Sequence, residues 1–148
     1  MLKRLLSLLA ALCLIGAQAA EAPPAAGTLK DLSGDVQVQR GQHARMAAQS
    51  GMALQVNDEI LTGANGSVGV VLVDGSRISL GPNTQLRMSD VQFNGTTQSG
   101  QLLLNLYRGT LRMITGLIAK HNVDAVKVMT PTSVVGVRGT DFIVQVAD

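Results

Sequence analysis

Few residues in this chain could do chemistry, and their spacing fits none of the arrangements that chemistry requires. Catalysis needs a positioned base with a nucleophile, or a metal ion. The two histidines, His43 and His121, stand in unrelated polar stretches, and neither a His-x-x-x-His nor a paired-carboxylate spacing occurs. The one cysteine, Cys13, lies in an apolar N-terminal run. Asp58-Glu59 is an adjacent acidic pair, but it lacks the Asp-x-Asp-x-Asp-Gly continuation of a calcium loop and reads as a solvated turn. Arg138, beside Gly139, is the residue whose setting points most to a specific role, with an ion pair to Asp141 or another acid as the alternative. The expectation is a protein that is not an enzyme and uses neither metal nor cofactor.

The chain that must position these residues has 148 of them, the size of one domain. It is 46% hydrophobic but only 2% aromatic, so a core has to be built from Val, Leu, Ile, Ala and Met. Lys3 and Arg4 precede an apolar run over residues 5–15, and Ala17 and Ala19 form an A-x-A cleavage pattern. Residues 1–19 therefore read as a secretory signal peptide, with a mature N-terminus at Ala20 in the periplasm or outside the cell. An anchor helix is disfavoured because the run is short for a membrane span, and a lipoprotein because Leu12 stands where a small residue should precede Cys13. Cleavage removes two of 12 basic residues and none of the 10 acidic ones, which leaves 10 against 10. A neutral mature chain offers no basic footprint for nucleic acid, and without a thiol it forms no disulfide. Residues 20–30, with Pro23-Pro24 and several alanines, read as a linker, and residues 31–148 as one β domain.

Residues 67–80 organise that domain. Val68, Val70, Val71 and Val73 make a β-branched run, Asp74-Gly75 is a turn pair, and Ile78 and Leu80 alternate beyond it, which predicts a β-hairpin. Apolar residues on both parities of the first strand predict cover on both its faces, with Ser76 and Arg77 near the tip and Ser79 facing out. Val36 and Val38 alternate with glutamines in a first strand within residues 29–39, which a polar loop over 40–50 follows. Leu86 and Met88 share one parity while Val91 and Phe93 share the other, so a bulge is expected near Ser89-Asp90. Asn65-Gly66 and Asn94-Gly95 read as turns, which accounts for their match to glycosylation sequons. Leu102, Leu104 and Leu106 line one strand, residues 109–114 form another, and Leu117, Ile118 and His121 carry the one helical spacing in the mature chain. Residues 142–146 are a terminal strand that either closes the fold or lies at an edge.

Several short segments are more specific than these patterns. Asp58-Glu59-Ile60-Leu61-Thr62-Gly63, Asp74-Gly75-Ser76, Gly109-Thr110-Leu111-Arg112, Thr130-Pro131-Thr132 and Val135-Gly136-Val137-Arg138-Gly139-Thr140-Asp141-Phe142 follow one another in an order that resembles the FecR domain. The resemblance spans residues 31–146. It implies a periplasmic, all-β domain of short strands in a twisted solenoid-like or sandwich arrangement. It also marks Asp58, Gly63, Asp74, Gly75, Ser76, Gly109, Thr130, Pro131, Gly136, Arg138, Gly139 and Thr140 as family-motif residues with structural roles. Full regulators of this type carry a cytoplasmic region that controls a sigma factor, a membrane helix, and a further C-terminal region that meets a transporter. Here a cleavable signal takes the place of the first two, and the resemblance implies an exported, sensor-like module.

The expected function is a protein-interaction module that engages an envelope or outer-membrane protein through an exposed strand edge or loop, in signalling or regulation. A small-ligand or glycan-binding domain is the alternative, against which stands the scarcity of stacking aromatics: one Tyr, two Phe and no Trp. A structural envelope component is a third reading. No membrane span remains after cleavage of the signal.

Overall fold

The hairpin expected over residues 67–80 is present: β-branched residues run up to a turn at Asp74-Gly75, and the chain returns antiparallel with Val70 opposite Ile78. A computed structural model describes residues 19–147, so the signal expected over 1–19, with Cys13, lies outside the described residues but for Ala19. In chain order, β1 (Gly27–Ser33) and β2 (Val36–Arg40) flank a turn, and β3 (Met46–Ala47) and β4 (Ala53–Leu54) are very short. Next come β5 (Asp58–Thr62), the hairpin strands β6 (Ser67–Leu72) and β7 (Arg77–Leu80), then β8 (Gln85–Asn94) and the long β9 (Ser99–Ile114). One short helix, α1 (Leu117–His121), and a 3-10 turn (Val123–Ala125) lead to β10 (Val126–Met129), β11 (Val134–Gly136) and β12 (Asp141–Val146). The all-β expectation of short strands in a twisted arrangement holds.

The strands form one curled sheet in two halves that share β9. In the first half the order is β3-β2-β5-β8 up to the N-terminal part of β9, with β10 and β11 beyond it. In the second half it is β4-β1-β6-β7 up to the C-terminal part of β9, with β12 beyond it. The pairings are antiparallel apart from β9 with β10. Their apolar faces meet in one core, which includes Leu29, Val38, Leu54, Ile60, Ile78, Leu86, Leu104, Leu111 and Met113.

Gly109 is what lets one strand serve both halves. Leu102, Leu104 and Leu106 are buried on even positions, whereas Leu111 and Met113 are buried on odd ones. The β8–β9 register shifts between Leu106 and Arg108, and Gly109 follows at φ +88°, so a bulge with the glycine beside it flips the parity without ending the strand. Residues 101–107 and 109–114, expected as two strands, are therefore one. The same device operates at the bulge expected near Ser89-Asp90, where the β8–β9 register shifts between Met88 and Asp90.

Four other expectations need correction. The first hairpin strand is covered on one face only: Val68, Val70 and Leu72 are buried, but Val71 and Val73 are 37% and 44% exposed, because no second layer lies outside this half of the sheet. Ser76 is not at the exposed tip but fully buried, for reasons given below. Strand β1 begins inside the linker expected over 20–30: Ala26 and Leu29 are buried, and Gly27 to Lys30 pair with β6. The Asn94-Gly95 turn is a longer loop, in which Asn94 Oδ1 accepts from the amides of Thr96 (2.9 Å) and Thr97 (3.2 Å) and Gln98 takes the positive φ. The helical spacing, by contrast, lands on α1, and the terminal strand pairs with β9 along its whole length.

Gly75 has φ +81° and open space around it, so a side chain there meets conformational strain without a clash. Gly75→Val should destabilise the protein by about 1 to 3 kcal/mol in urea unfolding, since a β-branched residue is disfavoured at positive φ. An unchanged midpoint would mean that the turn tolerates another conformation.

Candidate functional site

The family-motif residues separate into two groups. Asp58, Gly63, Asp74, Gly75, Ser76 and Gly109 build joints between strands, whereas Thr130, Pro131, Gly136, Arg138, Gly139 and Thr140 surround β11 and lead into β12.

Asp58 is fully buried, not part of a solvated turn. Its carboxylate accepts two parallel bonds from Arg40, Nε to Oδ1 at 2.9 Å and Nη2 to Oδ2 at 2.8 Å, and a third from the Gln55 amide at 2.9 Å. This fork joins β2 to β5. Glu59 receives a hydrogen bond from the Gln85 side chain on β8. Gly63 is tucked against Asp35, and its carbonyl accepts from Gly66 (3.0 Å) and Asn83 (3.1 Å), which ties two loops together.

Asp74 and Ser76 form a second buried joint. Asp74 Oδ1 accepts from the Ser76 amide (3.0 Å), and Oδ2 accepts from the Ser76 hydroxyl (2.8 Å) and the Ile118 amide (3.3 Å). Ser76 Oγ in turn accepts from the Gly116 amide at 2.9 Å. The hairpin turn thus supplies acceptors to the start of α1, a helix too short to persist without tertiary support.

A third joint uses threonines that carry no charge and so leave no signal in the sequence. The Thr62 hydroxyl donates to Gly81 O (2.6 Å) and accepts from the Thr84 amide (2.9 Å), while Thr84 Oγ1 accepts from the Thr110 amide (3.0 Å). Thr115 holds the approach to β12: its amide donates to Thr140 O (2.9 Å) and its hydroxyl to Gly139 O (3.3 Å). Thr130 closes the β10–β11 turn through Ser133, whose amide donates to its hydroxyl at 3.0 Å. Gly136 pairs with Lys127 on the outermost strand of its half, and Pro131 lies exposed in the preceding turn.

Arg138 is exposed and, among the described residues, makes no ion pair. Asp141 pairs instead with Arg112 across the β9–β12 ladder, at 3.1 and 2.8 Å. Sequence spacing concealed this partner because Arg112 lies 29 residues away. The hydrogen bond from Arg112 holds the Asp141 carboxyl below its ordinary value. The pair's contribution is therefore present above the ordinary carboxylate range and lost as pH falls through that lowered midpoint; both groups are exposed, so solvent screens it.

The result of these joints is a fixed but one-sided strand. Asp141 lies opposite Ile114, and the Thr115–Thr140 bond flanks that pair. In an antiparallel ladder such a bond marks a pair that exchanges no main-chain bonds itself, and bonded and unbonded pairs alternate from there. The N–H and C=O groups of Asp141, Ile143 and Gln145 therefore point away from β9. Among the described residues no strand pairs with that side of β12. Ile143 on the outer face is 65% exposed. Beside this edge, a groove of about 490 Å³ is lined by Tyr107, Pro131, Val135, Val144 and Gln145.

Two shallow concavities of about 410 and 420 Å³ adjoin α1 and share Thr115 and Lys120. Arg77 borders one and Arg138 the other, so three cations face solvent there without an ion-pair partner among the described residues. Among the described residues no three His, Cys, Asp or Glu side chains converge as metal ligands, and no helix is long and apolar enough to cross a membrane.

No curated protein and no solved structure matches this chain. The family model described as FecR protein matches residues 58–148, well over half the length, from the buried Asp58 through the one-sided β12, and the chain belongs to the FecR family.

Proposed function

We propose that this chain is an exported, non-enzymatic FecR-family module that engages an envelope protein by strand addition at β12, in a signalling or regulatory role. The observation that carries this reading is the row of outward main-chain groups on Asp141, Ile143 and Gln145. An extended segment of a partner would pair with them, main-chain bonds supplying affinity and the adjoining groove accepting alternate side chains. Membership of a regulatory family supports the signalling role, and the A-x-A pattern at Ala17 and Ala19 supports export to the periplasm.

Gln145→Pro removes one outward donor and leaves the β9 ladder intact, since proline is tolerated where the N–H faces away from the sheet. With the mature chain as bait in the envelope fraction, the variant should keep the parent's unfolding midpoint and lose most of the partner recovered. Undiminished recovery by a folded variant would move the binding surface to residues 120–124, where Lys120 lies between the two cation-bordered concavities.

A further inference from the structure

The free edge of β12 complements itself. Its outward groups recur on every second residue, at Asp141, Ile143 and Gln145. An antiparallel copy satisfies all of them in one register only, with Asp141 opposite Gln145 of the partner subunit, Ile143 opposite Ile143 of the partner subunit, and Gln145 opposite Asp141 of the partner subunit. Each of those pairs exchanges both main-chain bonds. A slip by two residues in either direction leaves outward groups unpaired. The register is closed about a two-fold axis, so the assembly stops at two copies.

The side chains agree with that register. Ile143, the most exposed large hydrophobic among the described residues, meets its own copy on the axis. Ile114, 42% exposed and diagonal to Ile143 across the β9–β12 ladder, extends the apolar strip on each side. Each Asp141 faces an amide, not a like charge. Acidic residues on an edge ordinarily discourage self-pairing, but here Arg112 already neutralises Asp141 from within the same chain.

We infer that β12 pairs with β12 of a second copy about a two-fold axis through Ile143, and that this self-association competes with capture of the envelope partner. The inference rests on the edge reading given above. A strand of six residues buries less than a stable interface requires, so the dimer forms weakly and dissociates on dilution. An edge masked in this way is shielded from indiscriminate pairing and is released to a partner that binds it better.

Sedimentation velocity of the mature chain over a wide concentration range should show the mean mass rising toward twice that of the monomer. Ile143→Lys and Ile143→Glu each place like charges on the axis and should stay monomeric at every concentration. Mixed in equal amounts they should associate again, because the axis then joins opposite charges; such recovery also shows that both variants are folded. A parent that stays monomeric throughout, or single variants that dimerise like the parent, would overturn the inference. Neither result touches the edge reading, which fails separately if Gln145→Pro captures the partner undiminished.

Discussion

Gly109→Val should lower the stability of the protein by about 4 kcal/mol, the sum of strain at positive φ and overpacking at a filled site. A Cβ at Gly109 would lie 2.5 Å from Thr84 Cα and 2.7 Å from Thr84 Cβ, with the backbone held at φ +88°. Thr84 cannot retreat, because its amide and hydroxyl are both engaged in the threonine joint that links β5 and β9 through the residue just before β8. Gly75→Val provides the internal comparison. There the φ is similar but nothing lies within 4 Å, so the excess cost at Gly109 measures the overlap alone. Urea unfolding of the two variants side by side reads both terms, and equal midpoints would show that Thr84 yields to the new side chain.

The second large effect is expected at Asp74. Asp74→Ala removes a carboxylate that is 1% exposed and leaves the Ser76 amide, the Ser76 hydroxyl and the Ile118 amide without their acceptor. Orphaning buried donors costs on the order of 1 to 3 kcal/mol each, and partial relaxation brings the total to about 4 kcal/mol. The loss should concentrate at α1, so the Ile118 amide should exchange with solvent far faster in the variant than the amides of β9. Asp74→Asn keeps one acceptor oxygen and should lie between the two. A variant whose α1 amides remain as protected as in the parent would mean that packing of Ile118, not the carboxylate, holds the helix.

Much of this architecture was legible in local pattern. Val36 and Val38, the Asp74-Gly75 turn and the parity change at Ser89-Asp90 each express a period of two or its interruption over a few residues, and each forms where expected. The family-motif segments were equally readable, although their side-chain partners were not. Asp58 looked solvated because its cation, Arg40, lies 18 residues earlier, and adjacent acids carry no mark of burial. Ser76 looked like a turn-tip residue because its acceptors and donors come from Asp74 on one side and Gly116, 40 residues away, on the other. At Gly109 the pattern misled: a parity flip beside a glycine resembles the end of a strand, and the two segments do take different partners, β8 and β10 before it, β7 and β12 after it, yet the strand runs on unbroken between them. The candidate surface was half visible. The terminal strand could be read from its alternation, but which of its main-chain groups face outward depends on the phase set by Thr115 and Thr140.

The shared strand also governs how the molecule comes apart. Because β9 runs uninterrupted from one half of the sheet into the other, there is no seam along which one half could melt while its neighbour keeps a template to pair with. Losing the pairing on either side of Gly109 frays the strand that the opposite side depends on. The protein should therefore behave as one cooperative block, in which damage near β3 is felt at β12 even though the two strands are not paired with each other.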